Sequence, residues 1–204
     1  MFSKAIIEFQ NIRWVLISEI YTGIKYKYRK LGELKNSLEI SEYGELISEV
    51  LRNLLKDCSP DSSGNVSVKT KKGILISSTG SQLKNLVYPD DFCEVISSID
   101  EKRVNFFGSN LPSSETKMHL LIHQKRPEIK FCLHVHVPNI LKIQIFDRFP
   151  VTSKFLSYGT IDLAKEASNI LQSSDYAVLR DHGIVVIGEN LNTIVGEVIK
   201  IIRM

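Results

Sequence analysis

An α/β fold of three layers, with a mainly antiparallel central sheet flanked by helices, is the architecture this sequence predicts. Short strand-like runs come in adjacent pairs joined by brief turns, which favours antiparallel pairing, and amphipathic segments of helical periodicity separate those pairs. Composition sets the scale. The 204 residues are 43% hydrophobic and 24% charged with 11 Gly and 6 Pro, which suits one globular domain and excludes disordered, collagen-like and disulfide-scaffold classes. The 26 Lys and Arg against 23 Asp and Glu leave a formal charge of +3, so no separate nucleic-acid-binding tail is expected.

Taken in order, residues 5–20 look apolar but are interrupted by Glu8, Arg13 and Glu19 and precede no small-residue cleavage site. This pattern predicts an amphipathic helix rather than a signal peptide or membrane span. Residues 21–35 carry five basic side chains (Lys25, Lys27, Arg29, Lys30, Lys35), one acidic one (Glu33) and three tyrosines. A basic stretch with aromatics could touch RNA or an anionic membrane; a solvated helix or a linker is its commoner meaning. Residues 1–40 are therefore read as a basic, amphipathic N-terminal extension ahead of a domain spanning 41–204. The extension holds seven Lys and Arg and four Asp and Glu, so it accounts for the whole surplus of +3.

From Ser41 the pattern is regular. Leu46, Ile47, Val50, Leu51, Leu54 and Leu55 recur on one helical face, with Ser41 as the expected cap, Glu42 and Glu45 in the first turn and Pro60 beyond the end. Residues 65–69 and 74–77 read as a hairpin turning at Lys71-Lys72-Gly73. Pro89-Asp90-Asp91 predicts the start of a short helix reaching Ser97, because Pro suits a first turn and acids complement the dipole there. A further helix follows Leu111-Pro112-Ser113-Ser114-Glu115 with Met118, Leu121 and Ile122 on its apolar face, then a strand over 129–137. Residues 160–172 form a helix by the spacing of Leu163, Ala164, Ala167, Ile170 and Leu171. Strands at 176–179 and 184–187 flank the turn Asp181-His182-Gly183, and a last helix begins at Asn192.

Histidines carry the clearest chemical signal. On a strand, His134 and His136 point to one face about 7 Å apart, close enough for both imidazoles to reach one metal ion, although a structural pair is the commoner arrangement. His182, in a turn at a sheet end, is either an ordinary turn residue or a third ligand that would leave a catalytic metal open to substrate oxygen. Gly64-Asn65-Val66-Ser67, Ser78-Thr79-Gly80-Ser81 and Pro112-Ser113-Ser114-Glu115 could each present N–H groups and hydroxyls to an anion, and each alone is an ordinary turn. Glu115 could act as general acid or base if a dry pocket raises its pKa; otherwise it is a first-turn glutamate stabilising a helix dipole. His119 and His123, four residues apart on that helix, lack a further nearby ligand and are not read as a second metal site. Cys132 reads as a small buried side chain. Cys58, Cys93 and Cys132 are odd in number and widely spaced, which argues against a disulfide framework and for a reducing, cytoplasmic setting.

The order of GNVS at 64–67, LISSTGS at 75–81, PSSE with His119 at 112–119, HVHV at 134–137 and DHGIVVIGENL at 181–191 resembles the class II aldolase/adducin family. The resemblance covers residues 41–204. It implies a divalent metal, usually zinc, on His134, His136 and His182, with Glu115 as catalytic acid/base and possible fourth ligand. It further implies a substrate phosphate held by Gly64, Asn65, Thr79, Gly80, Ser113 and Ser114, a supporting role for His119, and a homotetramer with sites between subunits. The implied reaction is reversible aldol cleavage of a small ketose 1-phosphate through a metal-stabilised enediolate. The same intermediate serves methylthioribulose-phosphate dehydratases, ribulose-phosphate epimerases and decarboxylases, while a non-catalytic, adducin-like association domain is the alternative of a different class. Neither a membrane nor a nucleic-acid partner is expected. Two departures bear on the reaction. Residues 146–159 are shorter than the segment that supplies a tyrosine in aldolase-like members, with Tyr158 not alignable to it, and the sequence ends at Met204, so the family's tyrosine-bearing C-terminal tail is expected to be missing.

Overall fold

Among the described residues, eight strands and four α-helices follow one another as β1 (Lys27–Gly32), α1 (Leu38–Leu55), β2 (Gly64–Lys69), β3 (Gly73–Ser77), β4 (Phe92–Ile96), β5 (Arg103–Phe107), α2 (Thr116–Lys125), β6 (Phe131–His136), α3 (Ile161–Ile170), β7 (Tyr176–Leu179), β8 (Gly183–Gly188) and α4 (Leu191–Ile202). The structure, a computed structural model, describes residues 27–35, 37–55, 63–96, 103–137 and 148–203; the expected helix over 5–20 and Cys58 lie outside them. One sheet takes all eight strands in the order β1-β5-β4-β3-β2-β6-β8-β7. Every pairing is antiparallel except β1 with β5, which is parallel.

Strand alternation sorts the side chains between two faces. Val66 and Val68 of β2, Leu75 of β3, Phe131, Leu133 and Val135 of β6, and Ile184 and Val186 of β8 meet Ile47 and Leu51 of α1 and Ile194, Val195 and Val198 of α4 in one core. Cys132, Val185 and Ile187 face the other way, against Met118 and Ile122 of α2 and Leu163, Ala164 and Ala167 of α3. Ile74, Ile76, Cys93, Val95, Val104 and Phe106 form a third cluster. The molecule is thus the three-layer α/β sandwich with a mainly antiparallel sheet that the sequence predicts.

Helix boundaries follow local capping. Ser37, not Ser41, opens α1: its Oγ accepts the Ile40 N–H at 3.4 Å, while Ser41 Oγ turns back to the Leu38 carbonyl inside the first turn. Thr160 caps α3 by accepting from Leu163 N–H, and Asn190 caps α4 by accepting from Thr193 N–H.

Two sequence expectations are overturned. The helix expected from Pro89 to Ser97 is a turn followed by strand β4, because the Asp91 carboxylate is taken up by the Val87 N–H (3.0 Å) and Ser81 Oγ (2.9 Å) instead of facing a helix dipole. The five residues after it alternate, with Phe92 in the α1/α4 core and Cys93 and Val95 in the third cluster. The basic segment expected as solvated helix or linker contains edge strand β1, register-paired with β5 from Lys27↔Arg103. Tyr28 packs edge-on against Phe106 (centroids 6.1 Å apart) while Lys27, Arg29 and Lys30 stay exposed, so basic side chains guard an open sheet edge.

Glycines flank the end of β6. A Cβ at Gly64, where φ is +145°, would lie 2.2 Å from the His134 carbonyl oxygen, and one at Gly183 would lie 2.2 Å from that of Val135, so β2 and β8 approach β6 there only because both positions lack a side chain. Gly196, inside α4, has nothing within 4 Å of its Cβ position. Gly196→Ala should accordingly stabilise the fold by about 0.5–1 kcal/mol and Gly183→Ala should destabilise it by about 1–3 kcal/mol in urea unfolding. Equal effects of the two substitutions would contradict this packing.

Candidate metal centre

The antiparallel register sets the donors. β6 pairs His134 with Val185 and His136 with Gly183 across β8, and with Asn65 of β2 opposite His134. Because Leu133 and Val135 point into the α1/α4 core, His134 and His136 project to the other face, over the start of α2. His182 enters from the β7–β8 turn. Asp181 before it adopts φ 56°, the left-handed region, and Arg180 is tied to Thr152 through its N–H (2.9 Å) and Nε (3.1 Å). Glu115 immediately precedes α2, its N–H donating to Ser113 Oγ at 3.2 Å.

The four side chains converge. Imidazole centroids lie 4.9 Å apart for His134–His136, 4.8 Å for His134–His182 and 4.7 Å for His136–His182. One ligand atom from each of Glu115, His134, His136 and His182 falls within 4.8 Å of the others. His182 Nε2 is 3.1 Å from His136 Nε2 and 3.8 Å from Glu115 Oε1, and His134 Nε2 is 3.1 Å from Glu115 Oε2. His134 Nδ1 lies 2.9 Å from the Ile184 carbonyl, which requires its proton there and turns the Nε2 lone pair toward the cluster.

Electrostatics match a cation seat. Burial depresses His136 from 6.5 to about 3 and, against the opposing pull of the Glu115 carboxylate, takes His182 to about 4, so both are neutral donors at ordinary pH. Burial of Glu115, only 3% exposed, opposes its ionisation; His134, His182 and the Asn65 amide outweigh that and hold it well below the usual carboxylate range. The pocket is dry, as the sequence reading of Glu115 as an acid/base supposed, but its pKa is lowered and not raised: the side chain is a carboxylate. Its Oε1 has no hydrogen-bond partner among the described residues although fully enclosed, a costly state that a cation would relieve. Three imidazoles and one carboxylate are a donor set suited to zinc and similar divalent ions.

The anion-binding candidates lie at the same end of the sheet. Gly64 and Asn65 begin β2 beside His134 and Val135. Residues 77–79 run antiparallel to 111–113 through Ser113 N–H to the Ser77 carbonyl (3.1 Å), the Ser78–Pro112 bridge and Thr79 N–H to the Leu111 carbonyl (2.8 Å), which sets Ser113 opposite Ser77 and Thr79 opposite Leu111, with Gly80 next along the chain. Gly80, at φ 78°, is exposed. Asn65 is buried and bridges inward: Nδ2 donates to Glu115 Oε2 at 2.8 Å and Oδ1 meets His119 Nε2 at 2.5 Å. Sequence reasoning did not foresee two contributors. Tyr28 of β1 donates through its hydroxyl to the Ser113 carbonyl at 3.0 Å, and Ser67 contacts both His119 and His123. The GNVS motif placed Ser67 two residues from Asn65 and hence on its face; nothing in the Tyr28 segment pointed inward.

Fold and site together define a three-layer α/β protein with a buried three-histidine, one-carboxylate centre at one sheet end. Residues 54–203 match the model of the Class II Aldolase and Adducin N-terminal domain, and the chain belongs to that family. It is 26% identical over 178 residues to an L-fuculose phosphate aldolase of Haemophilus influenzae, covering 77% of this chain and 76% of that protein. A 3-oxo-tetronate 4-phosphate decarboxylase of the same organism is 28% identical over 148 residues, covering 63% and 68%. A solved L-fuculose 1-phosphate aldolase superposes with a TM-score of 0.64 at 26% identity, covering 82% of this chain and 84% of that one. No helix among the described residues is long and apolar enough to cross a membrane.

Acid should weaken the metal-free fold. Burial lowers His119 to about 3 and His123 to about 4, so below about 6.5 the unfolded chain takes up protons that the folded one refuses. Stability is therefore full at neutral pH and lost as pH falls, by roughly 2 kcal/mol for each of these imidazoles between about pH 7 and pH 5. Urea unfolding across that range checks it; a pH-independent midpoint would contradict neutral buried imidazoles.

Proposed function

We propose that this chain is a zinc-dependent aldehyde-lyase that reversibly cleaves a small ketose 1-phosphate by aldol chemistry. The observation that carries the reading is the convergence of His134, His136, His182 and Glu115 at one buried point. A bound divalent cation would supply Lewis-acid polarisation of the substrate's carbonyl and hydroxyl oxygens. Glu115, held as a carboxylate with Asn65 on Oε2, is the group that accepts a proton from the substrate and returns it. Gly64, Gly80 and Ser114 offer backbone groups, and Thr79, Ser113 and Ser114 hydroxyls, for the phosphate, and Asn65 retains a second Nδ2 hydrogen beyond the one spent on Glu115. The enclosed position of Glu115 keeps bulk water from competing for the proton. A homotetramer in the cytoplasm is the setting proposed with it, the tetramer resting on the family resemblance and the compartment on the odd, widely spaced cysteines.

Decarboxylation is the second reading, favoured by the 28% identical 3-oxo-tetronate 4-phosphate decarboxylase; dehydration and epimerisation draw on the same proton transfer. An association domain without catalysis would have no need of a complete donor set around a buried carboxylate. A panel of ketose 1-phosphates, assayed with zinc for aldehyde release and for loss of water, should give turnover, and 3-oxo acid phosphates assayed in parallel for loss of carbon dioxide test the second reading. Glu115→Gln should lower kcat by about 100-fold or more while the protein still takes up metal. Turnover unchanged in that variant would remove Glu115 from the mechanism, and no turnover by the parent protein on any of the panel would contradict the lyase.

A further inference from the structure

A line of buried hydrogen bonds leads from Glu115 away from the metal ligands. Asn65 bridges to His119 Nε2, His119 Nδ1 lies 2.7 Å from Ser67 Oγ, and Ser67 Oγ lies 2.9 Å from His123 Nε2. Asn65, Ser67, His119 and His123 are each no more than 5% exposed. Each link can be directed because its neighbour leaves one choice. The Glu115 carboxylate only accepts, so Asn65 must turn Nδ2 toward it and Oδ1 toward His119. His119 must then carry its proton on Nε2. Burial keeps the ring neutral, which leaves Nδ1 as an acceptor, so Ser67 donates to it. The Ser67 oxygen in turn accepts from His123 Nε2–H, and the remaining His123 atom, Nδ1, is left as a bare acceptor. That end point agrees with an independent observation: His123 Nδ1 is buried with no hydrogen-bond partner among the described residues. An orphaned acceptor is a lesser cost than the orphaned N–H donor the opposite direction would leave.

We propose that Ser67 and His123 are positioning residues: through His119 and Asn65 they form a chain in which every hydrogen bond points at Glu115, so that the Asn65 amide is braced from behind where it donates to the carboxylate. The chain crosses from β2 to α2 and ends at His123, on the lining of a cavity of about 610 Å³ shared with Lys69, Lys117 and Gln124. Without Ser67, Nδ1 of His119 loses its donor while Asn65 Oδ1 still holds the Nε2 proton, so the imidazole is fixed from one side only and the Asn65 amide loses its brace. The catalytic part of this inference rests on the proposed lyase reaction; the direction of the chain does not.

Two measurements test it. In the full chain, nitrogen-15 NMR of labelled histidines should find both His119 and His123 protonated on Nε2, with His119 keeping that proton in Ser67→Ala while its Nδ1 resonance moves to that of an acceptor without a donor. With a ketose 1-phosphate that the parent protein turns over, Ser67→Ala should lower kcat by about tenfold, with KM within about threefold and metal content unchanged. A parent protein with His119 or His123 protonated mainly on Nδ1 would overturn the chain, as would a Ser67→Ala variant whose His119 Nδ1 resonance is unchanged from the parent's. A raised KM at unchanged kcat would overturn the positioning role. If no substrate is turned over at all, the lyase reading fails, and the tautomers still decide the direction of the chain.

Discussion

A carboxylate and three imidazoles occupy one buried point, and the surrounding structure is arranged to make that tolerable. Removing such groups from water costs several kcal/mol each unless partners replace the lost solvation. Glu115 receives the Asn65 amide, His134 gives its Nδ1 proton to the Ile184 carbonyl, and the Nε2 atoms of His136 and His182 stand 3.1 Å apart with neutral rings. Two lone pairs at that separation repel each other unless a proton or cation lies between them. Glu115 Oε1, without a hydrogen-bond partner among the described residues, leaves the cluster with an unmet demand for positive charge, held in place by the β2-β6-β8 ladder and the two glycines beside β6.

Much of this was legible in the sequence because period-two alternation is a local signal. CLHVHV announces a strand with two imidazoles on one face and aliphatics on the other, and β6 folds that way. The turn Asp181-His182-Gly183 likewise announced a side chain at a sheet end, and Asp181 adopts the left-handed conformation such a turn needs. What could not be read was set by distant partners. Phe92–Ile96 becomes a strand because β3 and β5 pair on either side of it. Lys27–Gly32 is a strand only because β5, 76 positions later at the Lys27↔Arg103 pair, offers it an edge. The family resemblance supplied the identity of the ligand residues; the reversal of the Glu115 pKa needed the three-dimensional proximity of His134, His182 and Asn65.

The edge strand also changes how the basic N-terminal segment relates to the site. Its charge faces outward, yet Tyr28 reaches the Ser113 carbonyl beside the loop that leads into Glu115. Ser113 is thereby held from several directions: Tyr28 and the Thr116 hydroxyl (2.6 Å) donate to its carbonyl, its N–H donates to Ser77, and its Oγ accepts from Glu115. A residue bound at every polar group is a rigid support for the carboxylate two positions on, which favours catalysis by preorganisation over rearrangement.

X-ray absorption at the zinc edge of the metal-loaded protein tests the central claim most directly. One zinc per chain is expected, bound by nitrogen and oxygen alone, with three imidazoles in the parent protein and two in His182→Ala. A sulfur ligand, an imidazole count unchanged by His182→Ala, or failure of the protein to hold any divalent ion would contradict the convergence of His134, His136, His182 and Glu115 as a metal centre.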